Sequence, residues 1–430
     1  MKIKQINNSR KYLVISIFVL IVIDAIGTGM VAPILAPLVK SASGGIFGNN
    51  SSLELKHLLY GIAMGFAPLF YMLGAPIIGY VSDKIGRKKM LLFCLSGTLF
   101  AFISYSLAFV WSSIVILLLA KIIDGFTTGS QSIGQAVMAD ISSRNSTKIV
   151  NISTVALAMT VGLITGPLIG GILSDPSYVS WFNKETPFYA AIFLSFVNLV
   201  MLICFFRETH YSVEKNKPSS RECFKKLSNL LKNKNILVAL TTFFLFELGW
   251  SLYFQSMPLY LSEKFNYKSN MIGIFVGYVG FALSFGLIVI VRILARFKIN
   301  KIVKYGLIFS SFSFLFCFIA GNKIFYWISV VPIAFSVAIC YSALVTTISG
   351  MVESEAQGLI MGTTDSMLAL AFTITGFLSG ILSYLSLKLP LLLALIFMIG
   401  GTIMFFKIKK VFIASSHFNE NDVAVGSKSG

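Results

Sequence analysis

The sequence predicts an all-α membrane protein, with twelve transmembrane helices arranged as two pseudo-symmetric six-helix bundles. Three observations carry this expectation. The 430 residues are 56% hydrophobic and only 12% charged, whereas a soluble domain carries about 25% charged residues. So little polar surface cannot cover a water-soluble globule. The apolar runs reach the roughly 20 residues that a helix needs to cross the hydrocarbon core, and only helices or closed barrels satisfy their backbone in lipid. The longest polar interruption, Glu208–Asn235, falls at the midpoint and holds Lys215, Lys217, Arg221, Lys225, Lys226, Lys232 and Lys234.

The elements follow in order. Span one, 12–38, is too long for a signal-peptide core and has no small-residue cleavage site behind it, so it is expected to stay in the mature protein. Spans two and three, 57–80 and 89–109, flank a short charged turn. Spans four to six cover 112–138, 150–173 and 187–206. Spans seven to twelve cover 236–260, 271–294, 303–320, 325–349, 357–383 and 389–408. The expected organisation is an N-terminal bundle at 1–207, a basic cytoplasmic linker at 208–235 and a C-terminal bundle at 236–410. The last stretch, 411–430, is polar and rich in small residues and is expected to be a disordered cytoplasmic tail.

The net charge of +18 does not point to nucleic acid, because the bases do not gather on one face or helix. They fall in alternate inter-helix segments. Of the 35 Lys and Arg, 27 lie at the N-terminus, in the loops after spans two, four, six and eight, and in the tail; Lys121 lies inside a span. This is the positive-inside pattern and places both termini in the cytoplasm, with the protein in the inner membrane. The five cysteines show no CxxC spacing and the three histidines, His57, His210 and His417, are scattered, so no metal centre or disulfide framework is expected. No phosphate-binding Gly-x4-Gly-Lys-Ser/Thr loop or nucleophile elbow occurs. The chain is therefore not expected to be an enzyme or to carry a cofactor.

The charged turn reads Gly79-Tyr-Val-Ser-Asp83-Lys84-Ile-Gly86-Arg87-Lys88-Lys89. It resembles G-x-x-x-D-[RK]-x-G-R-[RK], the signature loop of the major facilitator superfamily of secondary transporters. A poorer second copy, Ala295-Arg296-Phe-Lys298-Ile-Asn-Lys301, follows span eight. The resemblance implies that Gly79, Asp83, Gly86, Arg87 and Lys88 form a conformational latch, with Asp83 facing the start of span eleven near Ala356. Topogenic charge alone is the competing reading; it explains the bases but not Asp83 or the glycines. Span five carries Gly162-Leu-Ile-Thr-Gly166-Pro167-Leu-Ile-Gly170-Gly171, similar to the motif of the antiporter branch. Glycines four apart let a second helix approach closely; span eight, with Gly273, Gly277 and Gly280, is one candidate partner.

Span four reads Lys121-Ile-Ile-Asp124-Gly125-Phe-Thr-Thr-Gly129, where the family pattern has arginine and glutamine at the two charged positions. Residues three apart share a helix face, so Lys121 and Asp124 are placed to pair. Asp24 lies mid-way along span one, in a segment similar to the first helix of tetracycline-type and multidrug drug:proton antiporters. An ionisable residue inside a membrane is functional by default, and low-dielectric surroundings favour the protonated acid. Asp24, Lys121 and Asp124 are therefore the expected proton-coupling residues. Asp24, Glu247, Trp250 and Tyr253 are the expected substrate contacts, an acid with aromatics suiting an amphipathic or cationic ligand. Asp365 in span eleven reads either as a ligand contact or as a helix-packing residue.

The resemblance implies a monomeric proton-coupled secondary transporter, with protons, lipid bilayer and a small-molecule substrate as its partners. It exports a small organic molecule such as a drug-like compound, metabolite or siderophore by alternating access. The alternative is a proton-coupled uptake symporter, which shares the fold and charged turn but has no need of the span-five motif.

Overall fold

The computed structural model describes residues 2–40, 46–48, 51–141, 145–206, 208, 232–294, 296–352 and 357–407. Most of the 208–235 linker and all of 411–430 lie outside these. The described residues are helical apart from short turns, and no strand occurs among them. Eleven helices are long and apolar enough to cross a membrane; a twelfth, Asn145–Leu173, contains the shorter apolar stretch Leu157–Leu173.

Three spans are interrupted. Span one is Lys2–Gly29 followed by Ala32–Lys40, with Pro33 near the start of the second piece, where a missing N–H costs nothing. Span four is Ile114–Thr127 followed by Ser130–Asp140. Span eight is Ser269–Phe285, a π-helical Gly286–Ile290 and Val291–Leu294. Span two runs further than its apolar core, from Leu53 to Ile85, because the Ser52 hydroxyl caps its start by accepting from Leu55 N at 3.2 Å. Span three begins at Arg87. The charged stretch is thus not an open loop: it is helix on both sides of one residue, Gly86, at φ +102°.

The chain packs as two compact units. The first takes residues 1–215 with 251–281 and 372–390; the second takes 216–250, 282–371 and 391–430. In the first unit, span one lies along span five, span four on spans two and three, and span six on spans one and three. Ile17, Ile21, Leu91, Leu95, Val137 and Val155 form its buried core near the Gly86 end. The same unit includes parts of spans seven, eight and eleven, which pack on spans two and five: the backbone of Gly376 and Phe377 lies against Gly61, and Gly273 against Gly171. In the second unit, spans nine and ten pack side by side. Gly286 lets the π segment of span eight meet Ala338, and the Ser311 and Thr402 hydroxyls join spans nine and twelve at 3.0 Å.

Candidate functional site

Asp24 and Asp124, in the first unit, each sit shortly before a helix break. After Asp24, the Thr28 hydroxyl donates back to the carbonyls of Ala25 and Asp24 at 3.1 and 3.2 Å, and the helix stops at Gly29. After Asp124, the Thr128 hydroxyl donates to the Asp124 carbonyl at 2.6 Å, and the helix stops at Thr127. Such back-bonding competes with the regular ladder and bends helices. The break in span four turns Ser130 towards span one, where its hydroxyl donates to Asp24 Oδ2 at 2.6 Å.

Asp24 and Asp124 are 6% and 4% exposed. Each has one oxygen held and one without a full hydrogen bond. Asp24 Oδ2 accepts from Ser130, while Oδ1 is buried near the Thr98 hydroxyl. Asp124 Oδ2 accepts from the Tyr105 phenol at 2.9 Å, while Oδ1 is buried. The acids are close enough for each charge to act on the other. Lys121 is buried as well, but it makes no ion pair with Asp124 within 4.0 Å; its ammonium lies 5.5 Å from the centre of the Tyr105 ring. Tyr105 thus meets both residues, bonding Asp124 through its phenol and facing Lys121 with its ring. Two sheltered carboxylates and one ammonium are groups that can take up and release protons.

The span-five motif shapes the same region. Gly162 meets Ala25, and a methyl group on Gly166 would come 2.6 Å from the Ile26 carbonyl oxygen, and one on Gly170 2.8 Å from Met30 Cα. These glycines seat span five on span one, beside Asp24. The neighbouring face meets span eight, with Gly171 against Gly273, Leu168 against Gly277 and Ile164 against Gly280. The motif thus has two partners, one per face, and Pro167 contributes its carbonyl to the Gly273 contact.

The Gly79–Lys88 stretch forms a charge cluster within the first unit. The Arg87 guanidinium bonds Asp83 at 2.6 Å, the Ser82 hydroxyl at 2.6 Å and Asp140 at 3.1 Å. Glu208 accepts from the backbone N–H groups of Arg87 and Lys88 at 2.9 and 3.0 Å, placing a carboxylate on the positive end of span three. Lys88 Nζ donates to the Ile203 carbonyl at 3.0 Å. Gly86 has a positive φ, and a methyl group there would come 2.5 Å from Glu208 Oε2. A methyl group on Gly79 would meet nothing within 4 Å. The start of span eleven near Ala356 lies outside the described residues.

Glu247, Trp250 and Tyr253 are all buried, at 1%, 8% and 0% exposure. Asp365 is exposed in this structure. Sequence reasoning missed Ser130, Tyr105, Asp140 and Glu208. Their side chains are common types at unremarkable spacings, and only the fold brings them to the acids and to Arg87.

A family model described as Major Facilitator Superfamily matches residues 17–374. The chain belongs to the major facilitator superfamily. It is 26% identical to the tetracycline resistance protein, class H, of Pasteurella multocida, over 82% of this chain and 84% of that protein. It is also 26% identical to the quinolone resistance protein NorA of Staphylococcus aureus (strain MSSA476), over 88% of this chain and 92% of that one. Among solved structures, the human organic anion transporter MFSD10 (TETRAN) superposes with a TM-score of 0.69 at 18% identity, covering 92% of this chain and 99% of that one, a likeness of fold. The major facilitator fold of transmembrane helices, and an integral multi-pass transporter rather than an enzyme, follow from family membership.

Proposed function

We propose that this chain exports a small, drug-like organic molecule in exchange for protons, with Asp24 and Asp124 as the proton carriers. The observation that carries the reading is the pair of buried acids, each with one oxygen held by a hydroxyl donor and the other free to take a proton. A bare carboxylate in a membrane is costly, so such groups mark ion paths. The resistance proteins among the relatives support export, and nothing specific favours uptake. Glu247, Trp250 and Tyr253 are proposed to line the substrate path, and the Asp83–Arg87 cluster to act as a latch whose bonds rearrange when the helices move. The basic segments are placed in the cytoplasm together with both termini, and the protein acts as a monomer.

The test is flux in proteoliposomes, using tetracycline and a fluoroquinolone as probes. Asp24→Asn is expected to abolish accumulation driven by a pH gradient while leaving probe binding measurable, because a permanently neutral amide cannot release a proton. Full uphill transport by Asp24→Asn and by Asp124→Asn would remove both from the mechanism and move the proton site to Glu247.

A further inference from the structure

We propose that His57 and Glu263 form a second proton-binding site, separate from Asp24 and Asp124, whose bound proton holds spans two and seven together at the end away from Gly86. The inference rests on the alternating-access reading above for its role, but not for its chemistry.

Hydrogen counting carries it. His57 Nδ1 lies 2.9 Å from the Leu53 carbonyl oxygen. A carbonyl only accepts, so Nδ1 bears a hydrogen. The other ring nitrogen, Nε2, lies 2.9 Å from Glu263 Oε1. A bare lone pair facing a carboxylate oxygen at that distance is repulsive. Either Nε2 also bears a hydrogen, making an imidazolium, or Glu263 is protonated. In both cases the contact holds one proton more than a neutral histidine with an ionised glutamate. Nε2 and Oε1 sit at ion-pair distance without hydrogen-bond alignment, which favours imidazolium facing carboxylate over a neutral acid donating to Nε2.

The surroundings make the pair consequential. His57 is 1% exposed, and Glu263, at 16%, is the member that water reaches. Around it, spans two, seven and eleven meet closely. Gly380 abuts the His57 carbonyl, the Tyr60 phenol donates to the Gln255 carbonyl at 3.1 Å, and the Gln255 amide donates to Phe372 O at 2.7 Å and Thr375 Oγ1 at 2.8 Å. Spans two and seven cannot part here without separating His57 from Glu263. The other titratable groups around the pair are Glu54, Lys56 and Tyr60 on span two, Lys264 on span seven, and Tyr384 on span eleven, whose ring lies 5.8 Å from the imidazole. Histidine is the group whose charge changes between about pH 5 and 8. Once parted from Glu263, His57 loses the charge that retains its proton. The closed seam thus binds one proton more than the open one, and raising pH favours opening.

The experiment uses the full chain in lipid nanodiscs, without substrate, after replacement of the native cysteines. Spin labels are placed at Leu58→Cys and Lys264→Cys, both exposed positions, on spans two and seven. Distances are recorded from about pH 5 to 8. One linked proton makes the ratio of parted to closed molecules rise by up to about tenfold per pH unit. His57→Gln is expected to flatten that response, and Glu263→Gln, which removes the partner and keeps the shape, to do the same. A wild-type distance that ignores pH overturns the proposal, as does an unchanged response in either folded variant. Because no flux is measured, failure of the proton-exchange reading and failure of this one are distinguishable.

Discussion

Asp24 and Asp124 are prepared in the same way by different neighbours. Ser130 and Tyr105 each donate one hydrogen bond to one carboxylate oxygen, and each donor favours the ionised form. Hydrogen bonds to charged groups contribute about 1.5–3 kcal/mol, and one pH unit corresponds to about 1.4 kcal/mol. Ser130→Ala and Tyr105→Phe are therefore expected to move the pH profile of exchange to higher pH by roughly one unit or more. Flux in proteoliposomes across a pH series checks this. An unmoved profile in both variants would place the proton on another group. Tyr105→Phe keeps the ring that packs against Phe102 and Phe188, so the comparison isolates the hydroxyl. The two glycines of the charged stretch differ as sharply. Gly86→Ala places a methyl group on a positive-φ residue against Glu208, which costs about 1–2 kcal/mol from the backbone alone. Gly79→Ala meets open space and is expected to leave thermal stability in detergent unchanged. A loss of transport by Gly79→Ala without loss of stability would show that another conformation brings a helix against this face.

Among the elements, span five is the one that joins others. Its glycines seat it on span one, and the adjoining face receives span eight. Gly166→Leu pushes a large side chain into the Ile26 and Gly29 backbone, where overpacking typically costs about 1–3 kcal/mol. A lower melting temperature and reduced flux are expected together, because span one carries Asp24. A melting temperature equal to that of the parent would show that the contact is loose. The existence of this motif was legible in the sequence, since glycines at intervals of four with a proline are a local pattern. Span eight was the partner its own glycines suggested; span one was not foreseen, because a helix face says that something approaches closely and not which helix does. The long apolar runs were legible for the same local reason. The helix breaks after Gly29 and Thr127 were not, since threonine is neutral in propensity and bends a helix only through the hydroxyl position it adopts. His57 was visible only as an isolated histidine, 206 positions from Glu263 in the chain. Lys121 and Asp124 had helical spacing, but the span-three tyrosine that bonds Asp124 and faces Lys121 is a tertiary partner that spacing cannot register.

For the molecule as a whole, the asymmetry of basic residues is the basis of the proposed orientation. An introduced cysteine at Lys215 is expected to react with a membrane-impermeant reagent only after the cells are opened; labelling of intact cells would reverse the proposed topology. The single-residue junction at Gly86 has a mechanical consequence. Span two has 33 residues and span three 24, lengths of about 50 and 36 Å at 1.5 Å per residue. One peptide unit between two such rods leaves no slack. Glu208 also ties down the first two N–H groups beyond the junction, and Arg87 bonds back across it to Asp83. Displacement of one rod is therefore transmitted to the other as by a cranked lever. Span two carries His57 near one end and Asp83 near the other, and span three carries Tyr105 beside Asp124. On the proposal above, a tilt begun at His57 would reach the phenol that holds Asp124. Inserting two glycines after Gly86 introduces play into that lever: the protein is expected to keep its helical content by circular dichroism and its probe binding, while the ratio of protons to probe molecules exchanged becomes loose.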